Sequence, residues 1–257
     1  MRRDDGRSIL LMWLFAPLRF AYKLWFALIF WVSLAFLYPL FKLWLRHPRH
    51  FRKAFLLKRV WGQVLQWGGL FPQRVRFRAP LPAPPYIVIS NHSSYIDIVQ
   101  MFNLVPDYFL MMGKYELKRW PLFRMFFKDM DIAVDRTSRV GSAKAFRRAA
   151  AALDAGASIV MFPEGTIPYD VPRMKPFKDG AFRLAIEKQV PIVPVTFTNH
   201  WRLFGDPEDL LSRGHPGISR AIVHPPLRTA GLSESDLVDL RHKAFDVIQG
   251  PMRADEA

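Results

Sequence analysis

The sequence predicts an α/β fold, a sheet flanked by helices behind an N-terminal helical membrane anchor, and three observations carry that expectation. Short apolar runs closed by turn residues recur at 86–89, 109–112, 131–134, 158–162 and 192–197, the pattern of buried strands. Helical stretches at 142–155 and 180–188 alternate with them, so residues 131 to 162 read as a strand, a helix and a parallel strand. Ahead of them lies residues 24–41, an apolar segment with no charged residue.

Taken in chain order, a first apolar run at 9–18 is too short to span a bilayer. Residues 24–41 would extend about 27 Å as a helix against a hydrocarbon core of about 30 Å. Both flanks are positive, so the segment is best met as a monotopic anchor with both ends cytoplasmic. After Pro48, Ala54, Leu57, Trp61, Val64 and Leu65 form one stripe with Arg52, Arg59 and Gln63 opposite. An interfacial helix and a core helix packed on the domain both fit that stripe. The proline-rich run 80–85 leads into the main domain. The expected division is 1–70, membrane-anchoring helices, and 71–257, an α/β domain.

Further along, a helix is expected to start near Ile96 after a strand ending at Ser90. Ser142 is a plausible N-cap for 142–155, with Gly156 just past its end. A late strand at 219–224 and a C-terminal helix from 234 to 248, capped by Ser233 with Asp236 in its first turn, complete the reading.

Composition narrows the partners. The 257 residues are 51% hydrophobic and 14% aromatic, which excludes a disordered chain. The formal charge is +15 and the pI about 10.4, which suits either nucleic acid or an anionic membrane. No acidic residue occurs between Asp5 and Asp97, while Arg19, Lys23, Lys42, Arg46, Arg49, Arg52, Lys53, Lys58 and Arg59 surround Trp- and Phe-rich segments. That distribution fits an anionic bilayer surface, and the absence of groove-reading or base-stacking motifs argues against nucleic acid. Cysteine is absent, which excludes disulfides and a cysteine nucleophile. The seven histidines lack metal-ligand spacing, and His200, His215, His224 and His242 read as surface or core residues. No glycine-rich nucleotide loop and no Gly-x-Ser-x-Gly elbow occurs. Neither a metal nor a cofactor is expected.

The chemistry-bearing residues sit at strand exits, where open α/β sheets hold their ligands. His92 precedes Asp97 by five residues, directly after the run at 86–89. With His92 on the turn and Asp97 in the helix, the carboxylate can fix one imidazole nitrogen and leave the other to accept a proton. A capping aspartate beside a satisfied histidine is the plainer reading of the same pair. Phe162-Pro163-Glu164-Gly165-Thr166 closes a second run, and Lys114 and Asp135-Arg136 follow two others.

Together these blocks resemble the glycerolipid acyltransferases, above all the bacterial 1-acylglycerol-3-phosphate (lysophosphatidate) acyltransferases. The resemblance covers about residues 60–225 and rests on Asn91-His92-x4-Asp97, Lys114 with Glu116-Leu117, Asp135-Arg136, the run from Phe162 to Thr166, Lys175-Pro176-Phe177-Lys178-Asp179-Gly180, and Pro191-Ile192-Val193-Pro194-Val195. It implies a glycerolipid acyltransferase-like sheet in which His92 is the general base and Asp97 its orienting partner. It also implies that basic residues near Lys114, Arg136 and the Glu164-Gly165-Thr166 turn hold the acceptor phosphate. Many relatives have arginine where this chain has Ile167; Arg173, Lys175 and Lys178 are charge-bearing substitutes or plain surface charge. Glu164 is expected to organise its turn rather than act as an acid, and Thr166 to bond phosphate or its own backbone. The implied reaction moves a fatty acyl group directly from acyl-CoA or acyl carrier protein to the sn-2 hydroxyl of a lysophospholipid acceptor, 1-acylglycerol 3-phosphate, giving phosphatidic acid in phospholipid synthesis, on the cytoplasmic face of the inner membrane. A lysophosphatidylcholine or lyso-ornithine acceptor is the alternative.

Overall fold

A computed structural model describes residues 15–115, 124–127, 130–135, 137–206 and 212–254, apart from the side chains of residues 114, 253 and 254. Helix α1, Ala16–Trp44, has 29 residues and is about 43 Å long at the usual rise. It takes in both the end of the run at 9–18 and the segment 24–41, because Lys23 does not interrupt it. The Lys23 ammonium is buried and donates to the Asp206 carbonyl at 2.6 Å and to Ser212 Oγ at 2.5 Å. A short 3₁₀ turn, Pro48–His50, leads into α2, Phe51–Gly68.

Of the two readings of the post-Pro48 stripe, the packed helix is the observed one. Ala54, Leu57, Trp61 and Leu65 are buried against the domain together with Phe55. Val64 departs from the expected stripe and lies exposed with Leu56, Val60 and Trp67, at the i+4 and i+3 spacings of a second apolar face. Helix α1 also turns Leu24, Leu28, Trp31, Val32 and Phe36 outward. Lys23 and Lys58, counted with the bilayer-facing charges in the sequence, are instead buried, each with a polar partner.

Strands β1 Gln73–Phe77, β2 Ile87–Ser90, β3 Phe109–Lys114, β4 Ile132–Val134, β5 Ser158–Met161, β6 Ile192–Phe197 and β7 Ser219–Val223 form, among the described residues, one sheet in the order β1-β7-β6-β2-β5-β3-β4. The run from β6 to β4 is parallel, and β7 joins β6 antiparallel, so the sheet is mixed. The β4-to-β5 crossover passes over β3 through helix α4, Arg139–Asp154. Strand β1 was not legible: as an edge strand paired only to β7 it needs no apolar face, and Arg74 and Arg76 point to solvent.

Side-chain alternation divides the core between two layers of helices. Ile87, Ile89, Ile159 and Ile192 pack with α4, α5 (Gly180–Lys188) and α7 (Leu237–Ala254). Val88, Val160, Val193 and Val195 pack on the other face with α1, α2 and residues of α3 (Ile96–Leu104). The N-cap of α4 is Ser138, which accepts from the Gly141 N–H at 3.0 Å, and not Ser142, whose hydroxyl donates to the Asp135 carbonyl at 2.7 Å. Ser233 caps as expected, but a 3₁₀ turn, Glu234–Asp236, comes first and α7 runs on past Pro251 to Ala254.

Candidate active site

Strand β2 delivers its last residues to the carboxyl end of the sheet, where Asn91 is fixed before His92 begins. Its amide donates to the Phe197 carbonyl at 2.9 Å and accepts from the Phe197 N–H at 2.8 Å, which locks the exit of β2 to the end of β6. His92 then turns toward α3, and its Nδ1 lies 3.0 Å from Asp97 Oδ2. The ring stacks on Phe162 with centroids 4.2 Å apart. No described residue partners Nε2, so the second nitrogen is open to a substrate.

Asp97 is fully buried and takes four donors. Oδ2 accepts from the Ser93 and Ser94 N–H groups at 2.7 and 2.9 Å as well as from His92, and Oδ1 faces Nδ1 of His200 at 2.6 Å. Burial pushes the Asp97 carboxyl up, but the hydrogen bonds and charge of His200 and His92 outweigh it and hold it below the usual carboxylate range. Asp97 is the histidine's partner and holds the 93–94 turn ahead of the helix, whereas the N-cap position belongs to Tyr95, which makes no side-chain cap, so the capping reading of the aspartate is not the observed one.

His200, expected from the sequence to be a surface or core residue, is instead the second partner of Asp97. It opens the short helix α6, His200–Leu203, and its Nε2 lies 2.6 Å from Ser219 Oγ at the start of β7. A signal did exist: Asn-His follows an apolar strand twice, at Asn91-His92 and at Asn199-His200. Asn199 repeats the clamp of Asn91 one strand further along, donating to the Ile218 carbonyl at 2.8 Å and accepting from the Arg220 N–H at 2.9 Å. Both imidazoles thereby reach the same carboxylate from adjacent strand exits. His224, by contrast, is a core histidine as read: it is hydrogen-bonded to Thr196, and burial lowers it to about 4.

The Glu164 turn sits against His92. Glu164 Oε1 accepts from the His92 N–H at 2.8 Å and Oε2 from the Lys175 N–H at 2.7 Å, so this carboxylate joins the histidine turn to the segment at 173–178. Burial pushes Glu164 up to about 7 against those two donors. Gly165 turns with φ of 81°, which a side chain would resist. Thr166 is half-buried beside it.

The basic residues are gathered less tightly. Lys175 is half-buried with its ammonium 5.7 Å from the Tyr169 ring centroid, and the side chains of Arg173 and Lys178 are exposed. Lys114 ends β3, and its side chain lies outside the described residues, as do Arg136, Glu116 and Leu117. The geometry thus brings His92, Asp97 and Glu164 into one hydrogen-bonded unit. It makes of them an oriented imidazole able to take a proton at the carboxyl end of the sheet, with the Glu164-Gly165 turn beside it.

Residues 73–198, which hold both the histidine-carboxylate pair at the β2 exit and the Glu164 turn, match the family model described as Acyltransferase. A curated relative, 1-acyl-sn-glycerol-3-phosphate acyltransferase alpha of Mus musculus, is 32% identical over 180 residues, 65% of this chain and 60% of that protein. An uncharacterized acyltransferase of Schizosaccharomyces pombe is 31% identical over 160 residues, 61% of this chain and 56% of that protein. The chain thus spans about three-fifths of the length of these relatives. The crystal structure of the 1-acyl-sn-glycerophosphate (LPA) acyltransferase PlsC from Thermotoga maritima shares the fold, with a TM-score of 0.73 at 22% identity over 92% of this chain and 95% of that one.

Proposed function

We propose that the protein transfers a fatty acyl group from an acyl thioester, acyl-CoA or acyl carrier protein, to the sn-2 hydroxyl of 1-acylglycerol 3-phosphate, giving phosphatidic acid in phospholipid synthesis. The observation that carries this reading is the His92 Nδ1–Asp97 contact with Nε2 open, inside a domain of the acyltransferase family whose curated relatives bear that activity in their names. His92 Nε2 takes the proton of the glycerol hydroxyl as that oxygen attacks the thioester carbonyl. The imidazolium that forms is held by Asp97. The carbon–sulfur bond then breaks, and the departing thiolate takes the proton back from His92. Glu164 positions the His92 backbone and the 173–178 segment.

His200 acts through Asp97 as a positioning residue. His200→Gln is expected to lower kcat by about 10- to 100-fold with KM little changed, the usual scale for a residue that orients a reacting group. It also removes the imidazole whose hydrogen bond and charge help hold the Asp97 carboxyl low, so that carboxyl should rise and the pH–rate profile should change with it. A loss of stability with an unmoved profile would make His200 a packing residue only.

The acceptor phosphate is assigned to Lys114, Arg136, the Gly165-Thr166 turn, Arg173, Lys175 and Lys178. Arg136→Ala is expected to raise KM for lysophosphatidate by about 10- to 150-fold, corresponding to about 1.5–3 kcal/mol for a charged hydrogen bond, and to change kcat less. Assays in detergent micelles across an acceptor panel check this. Ile167 stands where the family resemblance implies arginine, which favours the second reading, a lysophosphatidylcholine or lyso-ornithine acceptor. Equal kcat/KM for lysophosphatidate and lysophosphatidylcholine, with no acceptor-dependent effect of Arg136→Ala, would promote it.

Residues 1–70 supply the membrane attachment and 71–257 the chemistry. Helix α1 has the length and hydropathy of a membrane-crossing helix, with 11% of its most apolar window buried. Its polar contacts nevertheless tie it to α2 and to the domain: Tyr22 and Trp25 donate to the carbonyls of Gly69 and Gly68, Ser33 Oγ accepts from Trp61 Nε1, and Lys23 donates to the Asp206 carbonyl and Ser212 Oγ. That favours an anchor lying in one leaflet, with the active site facing the cytoplasm.

A further inference from the structure

Immediately after His200, the chain builds a basic concavity lined by none of the residues assigned to proton transfer or to the acceptor phosphate. Two adjoining cavities of about 340 and 370 Å³ share Arg202 and His215 in their walls. The first adds Arg19, Trp201 and Arg213, and the second adds Arg220. The loop after α6 returns through a bridge between Phe204 and Gly214, with the Gly205 N–H on the Arg213 carbonyl at 2.7 Å, and so sets Arg213 near Arg202. Arg19 arrives from α1, which is fixed to the same loop one turn later by the Lys23 contacts with Asp206 and Ser212.

The guanidinium groups are placed rather than loose. The Cζ atoms of Arg202 and Arg213 lie 4.9 and 4.7 Å from the Trp201 ring centroid. Among the described residues none of Arg19, Arg202, Arg213 and Arg220 has an ion-pair partner. The Arg213 guanidinium is held below its ordinary value, first by burial and then by the charges of Arg19 and Arg202. Like charges gathered with no counter-charge paired to them among the described residues oppose one another, and a bound anion relieves that opposition.

We infer that this concavity is a binding site for a phosphate group, separate from the His92–Asp97 centre and from the basic residues assigned to the acceptor. A phosphate monoester presents three terminal oxygens and a phosphodiester two, set tetrahedrally about phosphorus, so either can engage planar guanidiniums that arrive from different directions, whereas a carboxylate presents both oxygens in one plane. Trp201 offers a flat face to whatever carries the phosphate. Two sources share that chemistry. An anionic lipid headgroup fits because Arg19 lies on α1, which carries the outward apolar face. The nucleotide phosphates of a soluble thioester fit because Trp201 follows His200, the partner of Asp97, at the same end of the sheet.

The test reads binding, so it stands or falls independently of the acyl-transfer reading. Full-length wild type, R202Q/R213Q and a control that removes two charges from α4, K144Q/R147Q, are titrated in detergent micelles. The probes are adenosine 3′,5′-bisphosphate, dihexanoyl phosphatidylglycerol and dihexanoyl phosphatidylcholine, followed by calorimetry. A nucleotide site gives saturable bisphosphate binding that weakens at least about tenfold in R202Q/R213Q and under about twofold in the control. A headgroup site gives that pattern for phosphatidylglycerol and none for the bisphosphate or phosphatidylcholine. If neither anion distinguishes R202Q/R213Q from K144Q/R147Q, the site does not exist. Should R202Q/R213Q fail to fold by thermal unfolding, Arg19→Gln carries the same readout from α1.

Discussion

His92→Ala is expected to yield a folded protein whose acyl transfer is slower by about 10²- to 10⁴-fold, the range for loss of a positioned general base. The fold should persist because the imidazole is a small part of the local bonding. Asn91 still clamps Phe197, Glu164 still accepts the backbone N–H at position 92, and Asp97 keeps the Ser93, Ser94 and His200 donors. The loss should fall on kcat, since the ring reaches the substrate only as the proton moves. Single-turnover measurements with lysophosphatidate in micelles, alongside circular dichroism, make the check. A folded His92→Ala protein with wild-type turnover would remove the mechanism. Asp97→Asn has a different signature: an amide places an N–H donor among four donors in a fully buried site, so stability should fall together with rate.

The largest stability effect is expected at Lys58. Its ammonium is buried in α2 and forms an ion pair with Asp131 just ahead of β4, while Asp131 Oδ1 accepts from the Met111 N–H at 3.2 Å. The Phe126 ring lies 4.6 Å from the ammonium. Lys58→Met leaves the Asp131 carboxylate buried without its counter-charge, and breaking such a pair from one side costs about 3–5 kcal/mol. Lys58→Met with Asp131→Asn removes both charges and keeps an acceptor for Met111, so most of that loss should return. Denaturant titrations of the two variants in the same micelles decide the matter. A single variant as stable as wild type would mean that water reaches the carboxylate.

Much of this arrangement could be read from the chain because parallel strands buried on both faces appear as plain apolar runs. The stretches at 86–89, 109–112, 158–162 and 192–197 declare themselves in that way. Strand β1 did not, since an edge strand exposed on most of its length has no such run. His92 and Asp97 were legible because the contact is local and the turn between them is short. His200 was hidden because it meets Asp97 across 103 residues, and no periodicity reports which strand exits become neighbours. The same holds for Lys58, whose partner stands 73 residues away. Charge in a basic, aromatic-rich segment reads as attraction to a surface, and only the folded chain shows which cation has turned inward.

The outward apolar face of α1 and α2 lies on the reverse of the layer that closes the core. Leu34 and Phe41 of α1 are buried in the same cluster as Val88 and Val193, whereas Phe36 between them faces away. Attachment and folding are therefore not separable parts. Trimming the first helix to obtain a water-soluble enzyme would open the interior to solvent, and greasy residues on one side of a helix would be exchanged for greasy residues in the core. Surfactant around the intact chain, or selective polar replacement at positions such as Phe36, is the route to homogeneous material.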